Sequence, residues 1–174
     1  LVAKRLHLTV GAKMERNTFT GWEVQPSVRL LLTPNRTQTF WAAVSRAARA
    51  PSRAERDVKW LTTVYPPSTE VPLPVLLIAS GSERFNSEYA TAIEAGHRVA
   101  LGRRLTVDTA LYLTEYREVR GLEQTDGLKL TPIPHSETTL SGINRIHGQT
   151  YGGEILLRWK AREILALEGS ASTL

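Results

Sequence analysis

From Trp22 to Leu32 the chain reads Trp-Glu-Val-Gln-Pro-Ser-Val-Arg-Leu-Leu-Leu, with every even position apolar and every odd position polar except Leu31. Successive side chains of a β-strand point to opposite faces, so this segment has one greasy face and one wet face. At roughly 3.3 Å per residue it extends about 36 Å. A tilt near ~45° projects that length onto roughly 25 Å, the height of the apolar band around an outer-membrane barrel. Soluble strands average about five or six residues. Seven stretches of the chain alternate in this way, most of them long. Length and period together predict a barrel wall set in a membrane.

Composition removes the competing classes. The chain has 174 residues, enough for one domain, and is 41% hydrophobic, with a mean hydropathy of −0.22. Its longest apolar run, Val75-Leu76-Leu77-Ile78-Ala79, is far below the ~20 residues of a spanning helix. Cysteine is absent, which excludes a disulfide framework and thiolate metal sites. The chain opens on Leu1-Val2-Ala3-Lys4-Arg5 without a secretory signal; since an outer-membrane protein needs one, an internal piece of a longer precursor is expected. A net charge of +5 raises nucleic acid as a partner. The arginines are scattered, however, and the densest group (Arg46, Arg49, Arg53, Arg56) is interleaved with Ala, Ser, Pro and acids. No nucleic-acid partner is expected.

The strands follow in order. Leu6–Glu15 carries Leu6, Leu8, Val10, Ala12 and Met14 on one face. Trp22–Leu32 comes next, then a tight turn at Thr33-Pro34-Asn35-Arg36, where Pro fixes φ and Asn tolerates the left-handed region. The Ala-rich stretch 37–48 is a third strand of undetermined facing. A long irregular stretch from about Arg49 to Asn86 contains Val75–Ala79, whose five apolar residues predict a short strand inside the loop. Further strands are expected at about 87–100, 105–116, 149–160 and from Ile164 onward, with a second long irregular stretch at about 117–148. Connections thus alternate between short and long, the asymmetry of periplasmic turns and extracellular loops. Trp22, Trp41, Tyr89, Tyr116, Tyr151 and Trp159 lie near strand ends, where interfacial aromatic girdles form. Pro26 cannot donate to a ladder, so a bulge is expected there.

Several segments resemble one family. Trp41-Ala42-Ala43-Val44-Ser45-Arg46-Ala47-Ala48-Arg49-Ala50-Pro51-Ser52-Arg53-Ala54-Glu55-Arg56-Asp57 is similar to an Ala-rich strand that enters a large extracellular loop in TonB-dependent outer-membrane receptors. Leu73-Pro74-Val75-Leu76, Gly81, Ser87-Glu88 and Ala92-Ile93-Glu94-Ala95-Gly96-His97-Arg98 resemble that family's next loop and strand. Ile93, Ala95 and His97 depart from its larger or aromatic residues. Thr150-Tyr151-Gly152-Gly153-Glu154 resembles a later Gly-Glu strand start. The resemblance implies an all-β, antiparallel, up-and-down transmembrane barrel of about 22 strands, filled by an N-terminal plug domain. Residues 1–174 would supply about seven of those strands, with the plug and the remaining strands absent. It further implies uptake of a scarce ligand, such as a ferric siderophore or similar metal chelate, energised through the plug by TonB, with membrane lipid around the wall. The other function class is a soluble β-rich binding or structural module, since soluble barrels also alternate.

Candidate residues follow from chemistry and position. No enzyme is expected: no serine has a nucleophile motif, and the pairs Glu55/Asp57 and Glu15/Glu23 carry no sign of acid–base tuning. No cofactor is expected, and His7, His97, His135 and His147 lack metal-ligand spacing. Glu23, Arg29, Glu94, Arg98 and Asp108 are candidates for the lumen face, pairing either along the wall or with whatever fills the lumen. Arg53, Arg56, Trp60 and Tyr65 are loop candidates for an anionic, partly aromatic ligand. Val24, Val28, Leu30, Val107, Leu111 and Leu157 are expected to face lipid, with Glu23, Arg29, Asp108 and Arg158 opposite.

Overall fold

The computed structural model describes residues 2–3 and 5–174. Ten strands form one sheet: β1 (Val2–Ala3), β2 (Leu6–Asn17), β3 (Gly21–Leu32), β4 (Gln38–Arg49), β5 (Lys59–Tyr65), β6 (Val75–Ser80), β7 (Glu88–Leu101), β8 (Leu105–Lys129), β9 (His135–Arg162) and β10 (Leu165–Thr173). A four-residue helix, α1 (Arg53–Arg56), precedes β5. The spatial order is β1-β2-β3-β4-β7-β8-β9-β6-β5, with β10 also on β9. The sheet curls into part of a barrel wall.

Neighbours in the wall are antiparallel, and apart from β4 and β7 they are joined by short turns. Asn35 Oδ1 closes one turn by accepting from the Thr37 N–H and hydroxyl, both at 2.9 Å. Gly102 closes another at φ +68°, a conformation that favours glycine. At the opposite rim Asn17 Oδ1 caps the β2–β3 connection, accepting from the N–H groups of Phe19 and Thr20 at 2.9 and 2.8 Å.

Register fixes which residues share a face. Thr9, Arg29 and Ala43 lie side by side across β2, β3 and β4, as do Val10, Val28 and Val44. The Ala-rich strand β4 therefore puts Trp41, Ala43 and Ser45 on the polar face and Phe40, Ala42 and Val44 on the apolar one. Across β7, β8 and β9, Arg98, Asp108 and Leu156 align on the polar face, and Val99, Val107 and Leu157 on the apolar face. Large apolar side chains stand exposed on the latter, among them Val10 at 69% and Leu111 at 67%. Among the described residues only two large apolar side chains, Ile78 and Phe85, are buried. A single layer with one continuous exposed apolar face has no internal core, and such a surface needs an external apolar covering.

Three expectations change. Residues 117–148 are not mainly irregular: β8 and β9 continue far past the wall, paired from Val119↔Ile146 to Lys129↔His135. Pro26 makes no bulge. It stays in unbroken register with Ala12 on β2, and the β3–β4 ladder stops one residue away, at Ser27↔Ser45. A residue with no N–H is accommodated where the ladder ends. Trp41 and Tyr116 do not belong to an outward girdle, because Trp41↔Gly96 and Ala90↔Tyr116 place both on the polar face.

Candidate functional site

Two regions carry the chemistry: the polar face of the wall and the loop collar above it. On the polar face a ladder of charges crosses four adjacent strands. Arg98 Nε donates to Asp108 Oδ1, and Arg158 Nη1 lies 3.5 Å from Asp108 Oδ2. Arg158 Nε then donates to Glu168 Oε2 at 2.9 Å. Opposite charges directly across strands support register, but both arginines are at least half exposed, so each pair contributes no more than about 1 kcal/mol. The ladder orients these groups more than it stabilises the wall.

Beside it the face is flat. A Cβ on Gly96 would lie 2.4 Å from the Trp41 ring, so the indole lies across the β7 backbone where only glycine leaves room. Arg29, His7, Thr9 and Trp41 border a shallow hollow of about 270 Å³. Among the described residues neither Arg29 nor Glu94 has a side-chain hydrogen bond or ion pair. Glu23 differs. It is only 6% exposed, and its carboxylate accepts from Thr20 at 2.7 Å, from Tyr89 at 3.1 Å and from Ser87. It closes the gap left where β3 and β4 part after Ser27, and its acceptor capacity is spent inside the wall.

The collar is built from the chain between β4 and β7. Ser52 and Glu55 form a capping box on α1: the Ser52 hydroxyl accepts from the Glu55 N–H at 3.3 Å, and Glu55 accepts from the Ser52 N–H at 2.8 Å. Glu55 also pairs with Arg49 and, at 3.3 Å, with Arg120 on β8. Glu88 holds Arg49 at 3.3 Å and accepts from the Arg120 N–H at 2.7 Å. Partial burial pulls the Glu55 carboxyl upward, but the Ser52 N–H and hydroxyl, the Arg49 charge and the Arg120 bond outweigh it and hold the group below its usual value. A depressed folded value means stabilisation that is present above the unfolded carboxylate range and lost as pH falls through the folded one. Amide protection across 53–86, taken relative to the intrinsic exchange rate at each pH, is therefore expected to fall only as pH drops below the ordinary carboxylate range. Glu55→Gln should remove that acid dependence, and an unchanged profile in the variant would assign it to another group.

Further contacts pin the loop. Arg56 Nη1 donates to the carbonyls of Phe19 and Phe85 at 3.1 and 3.3 Å. Asn144 on β9 accepts from the Asn86 N–H at 2.8 Å and donates to the Glu118 carbonyl at 2.8 Å. Glu118 itself sits at φ 56°, where β8 kinks. The strand expected at Val75–Ala79 is β6. It forms a hairpin with β5 and then docks parallel to β9, from Val75↔Ser136 to Ser80↔Ser141.

The loop candidates separate accordingly. Arg56 is committed to main-chain carbonyls. Arg53 is exposed on α1. Trp60 and Tyr65, 49% and 56% exposed, would face opposite sides of a regular strand. The register shift between Leu61 and Thr63 pairs them with Ala79 and Val75, which puts both on one face of the hairpin. Sequence reasoning missed the Glu55–Arg49–Glu88–Arg120 knot and the Glu23–Ser87–Tyr89 cluster. It also missed a cleft of about 820 Å³ bordered by Arg84, Glu118, Glu123, Arg145 and His147. The Ser-x-x-Glu spacing at Ser52 was the one local signal available for the first of these.

Long antiparallel strands in a curled sheet, one exposed apolar face, one polar face and a folded loop collar define a segment of a large β-barrel wall. The family described as TonB dependent receptor-like, beta-barrel matches residues 2–173, and the chain belongs to that family. Solved structures agree in fold. The siderophore receptor PirA from Acinetobacter baumannii superposes with a TM-score of 0.72 at 14% identity, over 92% of this chain and 24% of that one. A variant of the ferric enterobactin receptor PfeA from Pseudomonas aeruginosa, in complex with enterobactin, gives 0.73 at 15% identity over 97% and 24%. The FrpB iron transporter from Neisseria meningitidis gives 0.62 at 13% over 98% and 24%. The chain thus spans about a quarter of the length of these proteins. No curated protein matches it. Among the described residues no group of three or more His, Cys, Asp or Glu is placed to hold a metal ion.

Proposed function

We propose that this chain is part of the wall of an outer-membrane receptor that takes up a ferric siderophore or similar metal chelate with energy relayed by TonB. The observation that carries the reading is the family match over residues 2–173 on a sheet with one exposed apolar face. In this reading the apolar face meets lipid. Arg29, Glu94, Arg98, Asp108 and the inner edge of Glu23 face a lumen occupied by a plug supplied elsewhere in the receptor. The loop collar faces the cell exterior, and Arg53, Trp60 and Tyr65 meet the ligand. Rigid aromatic area and a cation in the same loop suit an anionic chelate with planar metal-binding groups. Arg56 serves the same site indirectly, by holding the loop.

Uptake by the full-length receptor in iron-starved cells tests the reading. Radiolabelled ferric siderophore should accumulate only when the receptor and TonB are both present. Trp60→Ala with Tyr65→Ala should weaken ligand binding about tenfold, a common loss when aromatic anchors are truncated, while leaving receptor abundance in the outer membrane unchanged. Uptake of no iron chelate, or uptake indifferent to TonB, would remove the proposal.

A further inference from the structure

We infer that the tight-turn rim of the wall binds anionic phospholipid of the inner leaflet through its phosphodiester headgroup. This rests on the outer-membrane reading, which puts the tight turns on the periplasmic side. Four arginines stand in those turns, outside the strands: Arg5 before β2, Arg36 between β3 and β4, and Arg103 and Arg104 between β7 and β8. All four are exposed. Main-chain bonds set the turns side by side. The Thr33 N–H donates to the Arg5 carbonyl at 2.8 Å, the Ala100 N–H to the Thr37 carbonyl at 2.7 Å, and the Lys160 N–H to the Arg104 carbonyl at 2.7 Å. The cations therefore form one row along the edge of the sheet, continued by Lys160 and Arg162 at the end of β9.

Nothing in that row cancels the charge. Among the described residues within three positions of these turns, the only acid is Glu163, against six cations. None of the six forms an ion pair among the described residues. The loop-side rim differs: Arg117 is held by Glu115, and Arg49 by Glu55 and Glu88. Apolar residues adjoin the row. Leu6, Leu32 and Phe40 align across β2, β3 and β4, and Leu101, Leu105 and Trp159 across β7, β8 and β9, on the face of Val28 and Val107. Leu32, Phe40, Leu101 and Trp159 are exposed there. Aromatic rings beside cations at the foot of an apolar band match the headgroup layer, and guanidinium forks match phosphate oxygens. A water-soluble polyanion would meet the arginines and leave the adjoining apolar residues bare. An acylated phosphodiester reaches both. A zwitterionic headgroup brings its own ammonium to a row already cationic, so the row selects a headgroup of net negative charge.

The test uses the full-length receptor in vesicles of phosphatidylethanolamine and phosphatidylglycerol, with equal traces of an analogue of each lipid that carries a photoactivatable group beside the phosphate. Crosslinks are mapped by mass spectrometry to residues 30–40 and 99–107. The phosphatidylglycerol analogue should label these segments more than the phosphatidylethanolamine analogue does, and its labelling should fall as salt is raised. Arg5→Gln, Arg36→Gln, Arg103→Gln and Arg104→Gln combined should lower it roughly tenfold, since each cation at an anionic lipid surface contributes several-fold. The corresponding lysine variants should retain most of it. Arg46→Gln with Arg117→Gln, at the loop-side rim, should change it little. Equal labelling by the two analogues, or equal labelling of the quadruple variant and wild type, would overturn the inference. So would displacement by soluble glycerophosphoglycerol at the same concentration, which would assign an anion site without lipid. Heat-resistant migration is read on every variant, and the two analogues compared on wild type decide the outcome should the quadruple variant not fold. A wild-type receptor absent from the outer-membrane fraction fails the underlying reading, whereas one that is present and folded but labelled equally by both lipids fails this inference alone.

Discussion

Leu111→Arg is expected to destabilise the receptor in a bilayer by about 2–4 kcal/mol, the range for a cation on the lipid face near the midplane of a barrel. Leu111 lies on the apolar face between Ala95 and Gly153 and is 67% exposed. On a protein surrounded by water, a substitution at so exposed a position would usually change stability by less than about 0.5 kcal/mol. Thr114→Arg provides the comparison, because Ala92 and Thr150 beside it lie on the polar face. Denaturant unfolding of the full-length receptor in phospholipid vesicles should show a large shift of midpoint for the first and a small one for the second. Equal shifts would mean that lipid does not cover the apolar face.

Gly81→Ala is expected to release the loop collar. A Cβ there would lie 2.7 Å from the Arg56 carbonyl carbon, 2.8 Å from its oxygen and 3.0 Å from the Asp57 nitrogen. All three are main-chain atoms, so no rotamer change relieves the overlap. The helix they belong to is itself tied down through Glu55 and Arg56. Overpacking of this kind costs about 1–3 kcal/mol, enough to favour an undocked hairpin. Limited proteolysis should cut the variant between residues 53 and 86 much faster than wild type, and ligand binding should fall with it if Trp60 and Tyr65 contact the ligand. A variant as resistant as wild type would show that the backbone approach at Gly81 relaxes without loss.

The parts of the fold legible in the sequence are those with one wet and one dry face. β3 could be read residue by residue, since Val24, Val28 and Leu30 alternate with Glu23, Gln25 and Arg29. The upper halves of β8 and β9 could not. Stretches such as Glu123-Gln124-Thr125-Asp126-Gly127 have water on both sides, so no hydrophobic period marks them, and their glycines and threonines imitate a loop. Main-chain bonds between the two strands make the ribbon instead. Pro26 was recognised as a ladder breaker, but its remedy depended on where β4 ends its pairing. Trp41 looked like an interfacial anchor because nothing near it in sequence reveals that Gly96 lies across the ladder. Trp60 and Tyr65 drew notice by type, whereas their shared face depends on a register shift that no local pattern announces.

The parallel seam between β6 and β9 has a consequence for the order of assembly. Most pairings of the wall join strands adjacent in the chain, and the exception, β4 with β7, closes only over the collar segment between them. β6 pairs instead with a segment that follows β7 and the whole of β8, and closing a long intervening stretch is slow compared with zipping a local hairpin. The hairpin it carries therefore docks late, after the strands it bridges are in place. The latch is thus expected to close after the hairpins of the wall have formed. Trp60 and Tyr65 come to rest with it.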